Sequence, residues 1–226
     1  MTQDRELRPA VARAVRFIVE PQHEGGGWRY QPRQPGDLSV TGWQLQALHA
    51  ARLAGIEVPE DTFRRTGKFL DSAFDGKNGT YSYTPRAAKS SVSMTGVGVL
   101  ARHLLHRAGK EPEVTGGVGF LTKRLPQPAG LDLYSCFYAT RAIYETGGPA
   151  WKKAWNPAVN PLLVKLQTRG GVHAGSWPPD PGILGKATGR LGTTSLALLS
   201  LEVPYRYVPG WARPKLASRR AEPPEK

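Results

Sequence analysis

Cysteine is nearly missing from this chain of 226 residues: Cys136 stands alone, which excludes an internal disulfide and fits a reducing compartment. Long apolar runs are missing too. No stretch approaches the roughly 18 uninterrupted apolar residues of a membrane-spanning helix. The opening MTQDRELRPAV has acidic residues and no apolar segment, so it does not read as a secretory signal, and the chain is expected in the cytoplasm. Without secretion, Asn78-Gly79-Thr80 is a glycosylation sequon in name only. There is no P-loop, no dinucleotide fingerprint and no Gly-x-Ser-x-Gly elbow. GGVGF at 116–120 has neither the spacing nor the preceding strand of a nucleotide loop. No cofactor is expected.

Acidic residues are scarce relative to basic ones, 18 against 31, for a formal charge of +13. Part of the excess sits in the tail WARPKLASRRAEPPEK, which is Pro-rich, without apolar period, and predicted to be disordered. Elsewhere Arg and Lys are scattered singly along helix candidates, with no zinc knuckle or aromatic RNA-binding motif beside them. That pattern argues against nucleic acid and leaves a solvated surface or peripheral contact with anionic lipid. With 39% hydrophobic and 22% charged residues, the body of the chain has the composition of a globular protein.

What is present is a repeat. Four units lie side by side, with a period of about 50 residues, at roughly 9–55, 59–109, 113–148 and 157–208. Residues 209–226 form the tail. Each unit opens on a helix candidate: PAVARAVRFIVE, EDTFRRTGKFLDSAF, EVTGGVGFLTKRL, NPAVNPLLVKLQT. Pro9 and Pro157 sit near helix starts, and Asp61 is a candidate N-cap. A loop with Gly and an aromatic residue follows: Trp28, Tyr81, Tyr134, Trp177. Then comes a second helix with small residues near its start, and the first three of these end at Gly55, Gly109 and Gly147. The first helices are amphipathic and the last second helix is apolar almost all round. Outer amphipathic helices around inner apolar ones satisfy both patterns. The expected fold is all-α, an α/α toroid (α6-barrel-like) or a partial toroid of about four hairpins.

These motifs resemble the prenyltransferase and squalene-oxidase repeat family, the α/α toroids of squalene-hopene cyclases and protein prenyltransferase β subunits. The family repeat runs aromatic, aliphatic, three residues, Gln, then Gly-x-Trp. Phe17-Ile18-x-x-x-Gln22 leading to Gly26-Gly27-Trp28 is a full match. Leu162-Leu163-x-x-x-Gln167 leads to Gly175-Ser176-Trp177; Phe69-Leu70 leads to Gly79-Thr80-Tyr81 without the Gln, and Phe120-Leu121 loosely to Tyr134. The resemblance implies that Gln and Trp are structural: the Gln ties a helix end and the Trp stacks beside it.

It also implies where chemistry would sit. Cyclases of the family protonate an alkene with Asp-x-Asp-Asp-Thr at an inner helix start. The matching stretch here, Asp37-Leu38-Ser39-Val40-Thr41, keeps only the first Asp and the Thr, so Asp37 is a candidate acid or simply a helix cap. Protein prenyltransferases hold zinc through Asp-x-Cys and a later His. Asp132, Cys136 and His173 are the candidates here, with the wrong Asp–Cys spacing; Cys136 among Tyr and Phe equally reads as a small core residue. His103 and His106 share a helix face and are expected at the surface. Trp43, Tyr134, Phe137 and Tyr138 would either line a cavity for an isoprenoid-like ligand or form core. The functional expectation is a repeat domain that binds an apolar isoprenoid-like ligand or a partner protein, homo-oligomer included. The alternative is a cyclase or prenyltransferase-type enzyme with atypical catalytic residues.

Overall fold

A computed structural model describes residues 6–85, 87, 89–105 and 111–207. His106, the helix end at Gly109 and the tail at 209–226 lie outside the described residues. The fold is all-α: 65% of it is helix, and the described residues hold only one two-stranded ladder.

The helices follow the repeat. They are α1 (Arg8–Val19), α2 (Leu38–Leu53), α3 (Glu60–Ala73), α4 (Val92–Leu105), α5 (Pro112–Thr122), α6 (Leu133–Thr146), α7 (Asn156–Leu166) and α8 (Ile183–Arg206). Pro9 and Pro112 lie in the first two positions of α1 and α5, where the missing N–H has no helical partner to lose. Asp37 caps α2, accepting from the Val40 N–H, and Asp132 caps α6, accepting from the Tyr134 and Ser135 N–H groups. Asp61 is not the cap expected of it. α3 begins one residue earlier, and Asp61 pairs instead with Arg64 and Arg65.

The second helices of the units form a row in chain order: α2 packs on α4, α4 on α6, and α6 on α8. The first helices cover it, α1 on α2, α3 on α2 and α4, α5 on α4 and α6, α7 on α8. Within the row the backbones come close because small residues face the neighbour. A Cβ on Gly96 would lie 2.9 Å from the Ala139 backbone nitrogen, so α4 reaches α6 only with glycine there. The core runs along the row through Leu45, Leu48, Leu100, Tyr138, Ile143 and Ala197. Each fully buried side chain of Leu or Ile size contributes about 1.5–3 kcal/mol of hydrophobic stabilisation.

Three local features differ from the sequence reading. Ala150–Trp155 is a π-helical segment that runs straight into α7, with Trp151 and Trp155 buried and the Trp155 indole donating to Thr140 Oγ1 (2.9 Å). Phe74–Asp75 and Thr80–Tyr81 pair as a short hairpin around a turn that the Asp75 carboxylate closes through Lys77 and Asn78. α8 starts eight residues before the expected LGTTSLALLSLEV and kinks at Gly189 (φ 60°). No helix among the described residues is long and apolar enough to cross a membrane.

Candidate functional site

The Gly-x-aromatic loops make one junction three times. At each, the aromatic residue's backbone N–H donates to a threonine hydroxyl of the following row helix, in the first turn of α2 and α4 and just past the Gly189 kink of α8. The pairs are Trp28 to Thr41 (3.0 Å), Tyr81 to Thr95 (3.2 Å) and Trp177 to Thr194 (3.1 Å). The indole of Trp28 donates to the Ile18 carbonyl (2.7 Å) and that of Trp177 to the Leu163 carbonyl (2.8 Å). Ile18 and Leu163 hold the same slot of the repeat, so each indole ties the unit's first helix to its second. Tyr81 has no indole. Its ring fills a space left by Gly98, where a Cβ would lie 2.3 Å from the ring, and its hydroxyl accepts from Arg102 Nε (3.2 Å). Arg102 continues to Asp71 (2.6 Å). Burial pushes the Tyr81 phenol up to about 12, so it stays protonated.

The glutamines differ. The Gln22 amide donates to the Gly26 carbonyl (2.9 Å), the Thr62 carbonyl (3.1 Å) and Thr66 Oγ1 (3.2 Å), binding its own loop and the next unit's α3. Gln167 donates to the Gly175 carbonyl (2.9 Å), the counterpart of the first of these bonds. The third unit lacks the junction. Tyr134 is not in a loop, as expected, but in the first turn of α6.

The four aromatics proposed for a cavity do come together, around Tyr138. Its ring centroid is 5.9 Å from that of Trp43, 4.8 Å from Tyr134 and 5.3 Å from Phe137. Side chains of α2 reach α6 directly here, Ser39 Oγ to Tyr134 Oη (2.7 Å) and Gln46 Nε2 to Tyr138 Oη (3.4 Å). Arg141 donates to Gln46 and stacks 3.9 Å over the Tyr207 ring. Tyr138 and Phe137 are buried, and burial raises the Tyr134 and Tyr138 phenols above their ordinary value. Of the two readings, cavity lining or core, the cluster has the burial of core, with only Trp43 half exposed (49%). The two larger described cavities lie elsewhere. A groove of about 670 Å³ runs past Arg52, Asp61, Phe63, Lys68 and Arg102. A smaller one of about 280 Å³ is lined by Val92, Leu131, Asp132, Cys136 and Trp155.

The candidate acid and metal ligands have structural partners. Asp37 is buried, with Oδ1 on the Val40 N–H (2.8 Å) and Oδ2 3.7 Å from Arg29 Nε. Its ion-pair neighbour is a guanidinium, and Ser39 and Val40 stand where the family motif has its other acids. Asp132 Oδ2 accepts from Ser135 Oγ (2.6 Å). Cys136 is buried, its thiol pushed up to about 12 by desolvation, so it is no thiolate nucleophile at neutral pH. His173 lies in an exposed 3₁₀ turn and does not join Asp132 and Cys136 at their cavity. Among the described residues, no group of three His, Cys, Asp or Glu side chains could hold a metal ion. His103 is not at the surface, as expected, but partly buried against Thr146 Oγ1 (2.8 Å), its pKa pushed down to about 4 by burial.

Two sets of residues were missed. The Thr95 and Thr194 hydroxyls were read only as small, and Thr41 as small and as the end of the acidic motif; the signal was their recurrence 13, 14 and 17 residues after the junction aromatic. Asp180 is buried, accepts from the Gly182 and Leu133 N–H groups, and so ties the last loop to the start of α6. No protein-family model matches this chain, and no curated protein sequence matches it either.

Proposed function

We propose that this chain is a repeat domain of the prenyltransferase and squalene-oxidase kind, an arc of an α/α toroid that binds another polypeptide. The arc is supported by the direct meeting of α2 and α6 side chains across α4, which requires the row to bend. The observation that carries the binding role is the bare apolar surface at both ends of the row. Phe17, Val172, Ile183, Leu191 and Tyr205 stand in solvent, from 79% exposed at Phe17 to 97% at Val172. Four of the five come from the last loop and α8; contiguous exposed apolar surface marks interaction sites. The capped state of Asp37 and the neutral thiol of Cys136 favour binding over chemistry.

The test is capture by proximity labelling in cells, comparing the wild-type chain with a Leu191→Asp, Leu198→Asp double variant. Both leucines are exposed, so the fold should survive. Polypeptides enriched by the wild type and lost with the variant are the expected result; identical profiles contradict it. A second reading, an isoprenoid-like ligand, is favoured by the half-exposed Trp43 edge-on to Tyr138. It requires an adduct with squalene or farnesyl diphosphate in native mass spectrometry that disappears in Trp43→Ala.

A further inference from the structure

The two ends of the row are shaped to fit one another. Inside the chain, each of the first two loops is covered by the first helix of the next unit. Gly26 lies so close to α3 that a Cβ there would sit 1.9 Å from the Arg65 carbonyl oxygen, and Gly27 lies against the Phe69 ring. Gly79 meets the Gly116 backbone of α5 in the same way, 2.8 Å from an added Cβ. Counted back from the motif aromatic (Phe69 in α3, Phe120 in α5), the backbone contacted is four residues earlier in both. Thr66, which Gln22 reaches, is three earlier.

Among the described residues, nothing covers that face of α1. Its corresponding residues, Ala10, Arg13, Ala14 and Phe17, are all exposed, whereas Thr62, Thr66 and Phe69 of α3 are buried. The last loop is the reverse. Gly175 has the conformation of Gly26 (φ +83° against +87°), but a Cβ there would meet nothing within 4 Å, and Gln167 keeps only the bond to its own loop. Ser176 replaces Gly27, as Thr80 does at the second junction, so a Cβ is tolerated in that slot.

We propose that the last loop of one copy receives α1 of a second copy, continuing between molecules the junction made twice within one. This rests on the polypeptide-binding reading and names the partner. The contact is heterologous, so copies add head to tail, into a ring if the rotation closes. Ala14 stands where Thr66 offers a hydroxyl, so Ala14→Thr should tighten association by roughly 2- to 10-fold through one added hydrogen bond from Gln167.

Sedimentation velocity of the full chain, from low micromolar to hundreds of micromolar, tests this with two blocking variants. Phe17→Glu spoils the α1 face; Gly175→Glu spoils the loop, with Gln167→Glu as a second loop variant if strain at Gly175 impairs folding. The wild type should assemble with rising concentration and each variant should be monomeric. An equimolar mixture of an α1-face and a loop variant should form a one-to-one dimer and nothing larger, because one intact face of each kind remains. Self-association that survives both single variants overturns the proposal. So does a wild-type monomer at every concentration: if it still captures polypeptides through Leu191 and Leu198 the binding reading stands and only the occupant is wrong, and if it captures none both fall.

Discussion

The first and last Gly-x-Trp loops are the same on one side and different on the other. Trp28 and Trp177 make matching bonds, indole to the first helix and backbone to a threonine of the second. Beyond the loop, Gln22 and Gly26 are pressed onto α3 while Gln167 and Gly175 face open space. The Trp and Thr therefore build a unit, and the Gln and Gly join units. A sequence motif that reads as one pattern does two separable jobs.

The largest effect that separates the two jobs is expected at glycine. Gly26→Ala should cost about 3 kcal/mol or more, because positive φ and a backbone clash at Arg65 act together. Gly175→Ala, with the same φ and no clash, should cost roughly 1 kcal/mol. Urea unfolding of both measures the difference; equal costs would break the distinction. A control at neither junction is His103. Its folded pKa of about 4 lies below the ordinary 6.5, so its contribution is present above pH 6.5. Stability should then fall by about 1–3 kcal/mol as pH drops from 6.5 toward 4, and level off below. His103→Gln should flatten that window in a urea-midpoint series while leaving the glycine contrast intact.

Next in size is glutamine. Gln22→Ala should cost about 2 kcal/mol, since it removes a buried amide with three bonds, two of them to α3, and Gln167→Ala less than about 0.5 kcal/mol in the monomer. The smallest contrast is at tryptophan, where the loops should agree. Trp28→Phe and Trp177→Phe each remove one indole bond and should each cost about 1 kcal/mol in thermal or urea unfolding. A large difference between them would mean that the units are not equivalent inside.

The repeat was legible because its punctuation is local: Gly at the loop, an aromatic behind it, small residues at the start of the next helix. Those features depend on φ and close approach within a few residues. What was not legible depends on contacts between units. Tyr134 looked like a loop aromatic because it follows Phe120-Leu121, yet the Asp132 cap starts α6 before it. The π-helical Ala150–Trp155 is set by Trp155 reaching Thr140 on another helix, which no local pattern announces. Trp43, Tyr134, Phe137 and Tyr138 were correctly grouped by type, but whether aromatics enclose a space or fill it is decided by how near α2 comes to α6. Ser39, which stands where the family motif has an acid, is one of the residues that closes that gap.

The central claim, that Trp28 and Trp177 stitch the two helices of the first and last units, is tested most directly by hydrogen exchange of the indole N–H groups resolved by NMR. Trp28 and Trp177, bonded to the Ile18 and Leu163 carbonyls, should exchange slowly and in step with global unfolding, while the half-exposed Trp43 exchanges fast. Indoles of Trp28 and Trp177 exchanging as fast as that of Trp43 would contradict the account.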